Sequence, residues 1–200
     1  MKKSLIITLM MAASMMANAQ GFNEISLKYA PLRSTVKLYD EKESGSDTGI
    51  ELEFNNHFRV KKDSPLYLSL GIGMQYAWAS GSGDAFGVDV EGEESILVGR
   101  IPVGLMYHYD LSETYAIEAL AGLDVSYYMM CSTKMYGKSY DFADTDGFNR
   151  FNAGWHCGIN AVFCKAFVVG IGFQKDFTKY FENIIEAKAS KLELKVGYRF

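Results

Sequence analysis

Residues 192–200 read LELKVGYRF, and apolar and polar positions alternate without interruption along this stretch. Successive side chains of a strand point to opposite faces. One face of an extended strand here carries Leu192, Leu194, Val196, Tyr198 and Phe200. The opposite face carries Glu193, Lys195, Gly197 and Arg199. A fully apolar face combined with a charged face is what the last strand of a transmembrane β-barrel requires, so this segment predicts the class of fold.

The same period of two recurs along most of the chain. It is purest in residues 66–78 and 115–127, each long enough to cross a bilayer as a tilted strand of about 9 to 11 residues. With less regular runs included, eight segments are predicted to be strands: 22–38, 49–60, 66–78, 96–109, 115–127, 150–163, 167–175 and 192–200. The sequence therefore predicts an all-β fold, an eight-stranded antiparallel up-and-down transmembrane β-barrel.

The connections between these segments alternate strictly between short and long. Residues 61–64, 110–113 and 164–166 form the short connections, and residues 40–48, 80–94, 131–149 and 176–188 form the long ones. Transmembrane barrels have short periplasmic turns and longer extracellular loops. With an even number of strands, both termini are expected in the periplasm.

Two prolines interrupt the predicted strands. Pro31 lies where the apolar parity of the first strand shifts by one before Val36, and Pro102 lies inside the fourth strand. Because a closed barrel has no free edge that could accommodate a residue without an N–H, we predict a β-bulge near each proline.

The first nineteen residues have the features of an export signal. Lys2 and Lys3 precede a short apolar core, and Ala17-Asn18-Ala19 forms a small-x-small cleavage site. We expect residues 1–19 to be a signal peptide and residues 20–200 to form one barrel domain. Loss of the two lysines takes the formal net charge from -4 to -6, which argues against a nucleic-acid partner.

A soluble lipocalin-like barrel, with its apolar faces inward, would show a similar alternation. The polar faces here are rich in small residues such as Ser69, Gly71, Gly122 and Gly158, which suit a narrow interior better than a water-exposed surface. Aromatic residues also fall in two groups, one toward each end of the strands, as at the two interfaces of a bilayer. The membrane-spanning arrangement is therefore favoured.

The whole chain resembles the OmpA/OmpX-type small outer-membrane barrels and, more loosely, PorT-like barrel domains. Phe200 with Tyr198 two residues earlier resembles the carboxy-terminal signal recognised by the barrel-assembly machinery. The resemblance implies a place in the outer membrane, in contact with lipid and lipopolysaccharide. It also implies the assembly machinery as a partner.

Several charged and polar residues have inward parity. Besides Glu24 and Lys28 they are Glu51, Glu53, His57, Arg59, Arg100, His108, Glu118, Asp124, His156, Glu193, Lys195 and Arg199. In an eight-stranded barrel, side chains fill the interior, and buried charges persist there when they are paired. We interpret the set as a polar network that fills the lumen; the alternative is a narrow or gated pore.

An outer-leaflet lipid-modifying enzyme is a further alternative, because Ser, His and acidic groups carry such chemistry. His57 and His108 map near the periplasmic strand ends and His156 near mid-depth, so no Ser-His-acid set is expected near the outer rim. No catalytic residue, cofactor or metal is predicted. Cys131, Cys157 and Cys164 are too scattered for a disulfide or zinc site. Asp141, Asp144 and Asp146 only loosely match a calcium loop.

The predicted loop 80–94 holds Asp84, Asp89, Glu91, Glu93 and Glu94 and no basic residue. Such a run is either a solvated loop or a surface for recognition. The sequence leads to a monomeric, non-catalytic barrel with a structural or surface-interaction role, possible protein partners being reached through the long loops. The alternative is an accessory barrel for secretion or envelope assembly.

Overall fold

The computed structural model describes the backbone of residues 21–38, 41–85, 88–135, 138–141, 147–178 and 185–200. Ten strands occupy nearly all of these residues. They are β1 (Gly21–Tyr29), β2 (Leu32–Leu38), β3 (Glu41–Arg59), β4 (Leu66–Ala85), β5 (Val88–Asp110), β6 (Tyr115–Met135), β7 (Lys138–Asp141), β8 (Phe151–Phe163), β9 (Phe167–Asp176) and β10 (Ile185–Arg199). Among these residues, no helix has the length and apolar character needed to span a bilayer.

The strands form one closed antiparallel sheet. From β3, the pairing runs through β4, β5, β6, β8 and β9 to β10. Both β1 and β2 pair with β10 on one side and β3 on the other, which closes the ring. Because β1 and β2 form a single interrupted strand and β7 pairs only with β6, the barrel has eight strands. The predicted fold is confirmed.

The strand register is continuous through Pro31. Glu24 pairs with Arg199 and Leu32 with Lys191, in one unbroken antiparallel register. The predicted bulge is therefore wrong. The change in apolar parity instead turns apolar residues inward, and Leu32 has 5% of its surface exposed. The local break is accommodated by Gln75, whose side chain donates a hydrogen bond of 2.9 Å to the Ala30 carbonyl.

The predicted bulge near Pro102 is also wrong. Pairing of β4 with β5 has the same register at Val103 as at Arg100, on either side of the proline. The irregularity lies instead between Leu97 and Val98, which pair with Met130 and Tyr128 of β6. Met129 is therefore the extra residue of the bulge, and it is 42% exposed.

Apolar and polar side chains are divided between the two faces of the sheet as the alternation predicts. Leu68, Ile72 and Leu194 face outward with 44%, 63% and 52% of their surface exposed. Gly71 is buried, and Lys195 is only 8% exposed. The apolar side chains thus cover the outside of the barrel, and the small and charged ones fill its interior.

Aromatic side chains form two outward belts. At the end with short turns, Tyr115 contacts Phe163 at 5.8 Å between ring centroids, and Phe167 contacts Tyr198 at 5.6 Å. At the other end, Tyr76 stacks on Trp78 at 5.7 Å, and Tyr127 lies 4.7 Å from Phe151. Phe54 lies 6.4 Å from Phe200, between ring centroids.

The two ends of the barrel differ, and we name them the turn end and the hairpin end. At the turn end, the predicted short connections are confirmed between β3 and β4, β5 and β6, and β8 and β9. In the last of them, Cys164 and Lys165 have left-handed φ angles of 51° and 60°, and the Ala166 N–H donates to the Phe163 carbonyl. This is the geometry of a primed hairpin turn.

At the hairpin end, the strands continue well beyond the aromatic belt. Pairing of β2 with β3 extends to Leu38 and Glu41, and pairing of β4 with β5 extends to Ala85 and Val88. The predicted loops 40–48 and 80–94 are therefore largely strand, which corrects the expectation of irregular loops. Residues 131–149 contain the end of β6 and the short β7.

Close contact between neighbouring strands explains why glycine occurs at inward-facing positions. Gly104 and Gly122 are directly paired across β5 and β6. A Cβ on Gly122 would lie 2.2 Å from the Val103 carbonyl oxygen and 2.6 Å from the Gly104 Cα. Both obstacles are backbone atoms, so only glycine fits at this position without separating the strands.

Candidate functional site in the barrel lumen

The interior of the barrel has two layers. A polar layer of charged and amide side chains extends from the turn end past the middle of the barrel. An apolar layer lies above it at the hairpin end. The same strands supply both layers, because every second residue along a strand faces inward.

The turn-end part of the polar layer is centred on Arg199. Its guanidinium donates to Glu24 at 2.9 and 3.0 Å and to Glu118 at 2.7 Å. Lys195 donates to the other oxygen of Glu24 at 2.8 Å. His108 Nδ1 lies 2.6 Å from Glu118 Oε1. The last inward residue of the chain thereby joins carboxylates of β1 and β6 across the lumen.

The central part of the polar layer is built around Glu51, which is fully buried. Arg100 Nη1 contacts both of its oxygens, at 2.6 and 2.7 Å, while Nη2 reaches Asp124 at 2.7 Å. Lys28 and Lys191 also contact Glu51. Charge-assisted hydrogen bonds of this kind are the strong class, and here they compensate for removing the charges from water.

Glu53, Glu193 and His156 complete the central cluster. Lys28 Nζ lies 2.6 Å from Glu53 Oε2 and 3.1 Å from Glu193 Oε2. His156 Nδ1 lies 3.0 Å from Asp124 Oδ2. The contacts of the described residues thus form two sets, and twelve of the predicted inward residues belong to them. The turn-end set contains Glu24, His108, Glu118, Lys195 and Arg199, and the central set contains Lys28, Glu51, Glu53, Arg100, Asp124, His156 and Glu193.

Arg59 reaches neither set. Its side chain is exposed at the turn-end mouth, where Nε donates to the Tyr67 hydroxyl at 3.0 Å and the guanidinium lies 5.2 Å from the Tyr67 ring centroid. His57 is buried, yet neither ring nitrogen hydrogen-bonds to another described residue. Its Nε2 is 3.9 Å from Glu24, and its ring contacts Phe22 at 4.7 Å.

Sequence reasoning missed Lys191. The residue is 3% exposed, and its ammonium contacts Glu51, Glu193 and Gln75. It lies two positions before Glu193, so extending the closing strand backwards by one residue would have placed it inside. Asn55, which donates to Glu53 at 2.6 Å, and Asn160, which donates to Glu118 at 3.3 Å, were also missed, although both lie inside predicted strands with inward parity.

The apolar layer was not predicted from the sequence. It comprises Leu32, Ala77, Ile96, Val98, Tyr128, Cys131 and Ala189, with Phe148 packed against them. Cys131, expected in an outer loop, is therefore part of the filling of the barrel, while Cys157 and Cys164 are exposed. All three thiols are free.

Little space remains between these side chains. A chamber of about 50 Å³ lies inside the polar layer, lined among others by His57, His156 and Asn160. A volume of this size holds a few water molecules. The chamber itself is too small for an organic ligand.

Acidic residues lie above the apolar layer at the hairpin end. Burial raises the pKa of Glu94, and the nearby carboxylate of Asp47 raises it further. Among the described residues, no group of three or more His, Cys, Asp or Glu side chains could hold a metal ion. Of the acidic residues singled out from the sequence, Asp84, Asp89, Glu91, Asp144 and Asp146 lie outside the side chains that the structure describes.

Comparison with known proteins places the chain in context. Residues 5–200 match the family model described as outer membrane protein beta-barrel domain. No curated protein matches the chain. Among solved structures, Ail of Yersinia pestis is similar, at 17% identity over 90% of this chain and 99% of Ail, with a TM-score of 0.49.

Two further solved structures show comparable similarity. Neisserial surface protein A is 11% identical over 88% of this chain and 97% of its own, with a TM-score of 0.49. OprG of Pseudomonas aeruginosa is 12% identical over 91% of this chain and 97% of its own, with a TM-score of 0.46.

Arg100→Met tests the central ion pairs. The substitution leaves Glu51 and Asp124 buried without their shared partner, so the free energy of unfolding should fall by about 3 to 5 kcal/mol. Lys134→Met is the matched control, because the Lys134–Glu93 pair is exposed and contributes less than about 1 kcal/mol. Urea unfolding in lipid vesicles measures both values, and equal small losses would contradict the account.

Proposed function

Because this chain belongs to the outer membrane protein beta-barrel domain family, we propose that it is a closed, non-catalytic barrel with a structural or surface-interaction role. The protein is an outer-membrane barrel in contact with membrane lipid. The observation that carries the proposal is the filled lumen. Any specific contact is then made by the ends or the outer surface of the barrel and not by its interior.

The filled lumen argues against an ion path. Mobile ions would have to pass a polar layer in which opposite charges lie within hydrogen-bond distance, such as Arg100 with Glu51 and Asp124. They would then have to cross the apolar layer around Tyr128, where mostly hydrocarbon side chains compensate poorly for the lost hydration of an ion. Each layer closes the barrel for a different physical reason.

The arrangement of the histidines supports a non-catalytic role. His108 contacts Glu118 and Asp110, and His156 contacts Asp124. Among the described residues, no serine hydroxyl hydrogen-bonds to a histidine, whereas serine-based acyl chemistry needs that contact. His57 and His108 lie toward the turn end, away from the leaflet that an outer lipid-modifying enzyme must reach.

The extended hairpins are the part of the molecule suited to recognition. They are regular paired strands that rise from a rigid barrel, and they expose acidic Glu93 together with the aromatic Tyr140. Phe177 lies exposed beside them after β9, with 53% of its surface accessible. Binding groups held on a rigid scaffold lose less conformational entropy when they bind.

The orientation follows the usual asymmetry of such barrels. We place the hairpin end outside the cell and both termini in the periplasm, with residues 1–19 acting as the export signal and the barrel acting as a monomer. Tyr198 and Phe200 would serve the barrel-assembly machinery. The backbone of Phe200 already exchanges two hydrogen bonds with Asn23, so the proposed signal is also the point at which the first and last strands meet.

Conductance in planar bilayers tests the closed lumen. Purified protein should give no steady single-channel steps under conditions in which a large porin conducts. Tyr128→Ala should also be silent, because the polar layer beneath the apolar one remains paired. Steady steps from the unmodified barrel would show that an ion path exists and would overturn this part of the proposal.

Shortening the hairpins tests the surface role. Ser80 and Glu93 are paired residues, so replacing residues 81–92 with Asn-Gly joins them by a two-residue turn. The barrel should still fold, while photocrosslinking on intact cells should lose the partner captured through the hairpin end.

The matched control replaces Lys62-Asp63 at the turn end with Asn-Gly and should leave capture unchanged. If the variant with the shortened hairpin still captures the partner and the turn-end variant does not, the surface role is contradicted. It would favour an accessory barrel that contacts secretion or assembly proteins from the periplasm.

A further inference from the structure

Gly99 is an exception among the glycines of the barrel. Apart from Gly21 at the start of β1, it is the one strand glycine with described surroundings that faces outward. Its neighbours across the sheet are Met74 and Tyr127, both of which point outward. The apolar wall of the barrel therefore has a depression at this point.

Neither the backbone nor the packing requires glycine at this position. A Cβ on Gly99 would meet a single atom within 4 Å, the terminal methyl of Met129 at 2.8 Å. Met129 is flexible and half exposed, and it can move aside. Gly122 differs, because its missing side chain is required by backbone atoms. Glycine in a strand weakens the strand. A glycine on the apolar wall that neither backbone nor packing requires therefore needs another explanation.

The depression belongs to a groove of about 420 Å³ on the outer surface. Its walls are almost entirely apolar and come from β1, β3, β4, β5, β6 and β8. They include Ile72, Met74, Ile101, Val125, Tyr127 and Phe151. The β-bulge at Met129 shapes the groove, because the extra residue places this side chain over Gly99. Bulges commonly redirect a side chain in this way.

The groove ends at the aromatic belt of the hairpin end, and a cation lies there. Arg150 precedes Phe151, and its guanidinium donates to the carbonyls of Met129 and Tyr128 at 3.3 and 3.5 Å. An apolar groove in the hydrocarbon zone thus meets a positive charge at the level of the headgroups. A phosphorylated lipid has the matching arrangement of acyl chain and anionic headgroup.

We propose that the groove at Gly99 binds one acyl chain of a phosphorylated outer-leaflet lipid, the lipid A part of lipopolysaccharide, with a phosphate on Arg150. The inference rests on the orientation given in the proposed function, which puts the hairpin end at the outer leaflet. The site would hold one lipid in preference to the rest of the smooth apolar wall.

Native mass spectrometry of the detergent-purified barrel with added lipid A tests the site. Gly99→Leu fills the groove and should weaken lipid A binding by about tenfold, the effect of losing burial of two methylene groups. Ala121→Leu is the matched control: it adds a similar volume to the outward face of β6 away from the groove and should leave binding unchanged.

Substitutions that remove or keep the positive charge test the role of Arg150. Arg150→Gln should weaken binding of lipid A by about tenfold, as expected for the loss of a charged hydrogen bond, and should not change binding of dephosphorylated lipid A. Arg150→Lys should restore most of the loss. If Gly99→Leu does not give a folded barrel on unheated gels, Met129→Trp fills the same groove from the bulge.

Equal binding by Gly99→Leu, Ala121→Leu and the unmodified barrel would overturn the site. Loss of dephosphorylated lipid A in Arg150→Gln would overturn the role of the charge. Equal affinity for phosphatidylglycerol and lipid A would overturn the assignment to lipid A. These measurements use protein in detergent, so their failure is separate from failure of the conductance or hairpin experiments.

Discussion

The pairing of the first and last strands is the constraint on which the rest of the structure depends. In hydrocarbon, an unpaired backbone N–H or C=O has no water to satisfy it, so a sheet can cross a membrane only as a closed ring. Here β10 completes the ring by pairing with β1 and β2 in one register, up to the exchange of hydrogen bonds between Phe200 and Asn23. Closure in that register fixes which side chains enter the lumen.

The composition of the lumen follows from its narrow diameter. Charges are present on neighbouring strands and cannot reach bulk water, so the carboxylates of the polar layer pair with cations, as Glu51 does with Arg100, Lys28 and Lys191. Where Gly104 and Gly122 face each other on neighbouring strands, there is no space for a side chain. Above these layers, the parity retained through Pro31 brings Leu32 inward, where it joins the apolar layer.

The sequence was sufficient for the fold because the period of two is clear in β4, β6 and β10, and a barrel of this size follows from eight such segments. It failed at Pro31, where the register continues and the Ala30 carbonyl accepts a hydrogen bond from Gln75, a residue 45 positions away. It also failed at residues 80–94, where no apolar face marks the strands although they are paired. The lumen residues were predictable by parity, but the partners of each were not, since contacts across a barrel depend on the stagger of all eight strands.

The central claim is that even-numbered residues of the closing strand face lipid and odd-numbered residues face the lumen. Single cysteines at positions 192–199, in a background with Cys131, Cys157 and Cys164 replaced by alanine, can carry a fluorophore whose emission is quenched by a nitroxide on lipid acyl chains. The account predicts strong quenching at 192, 194, 196 and 198 and weak quenching at 193, 195, 197 and 199. Uniform quenching, or the opposite alternation, would contradict it.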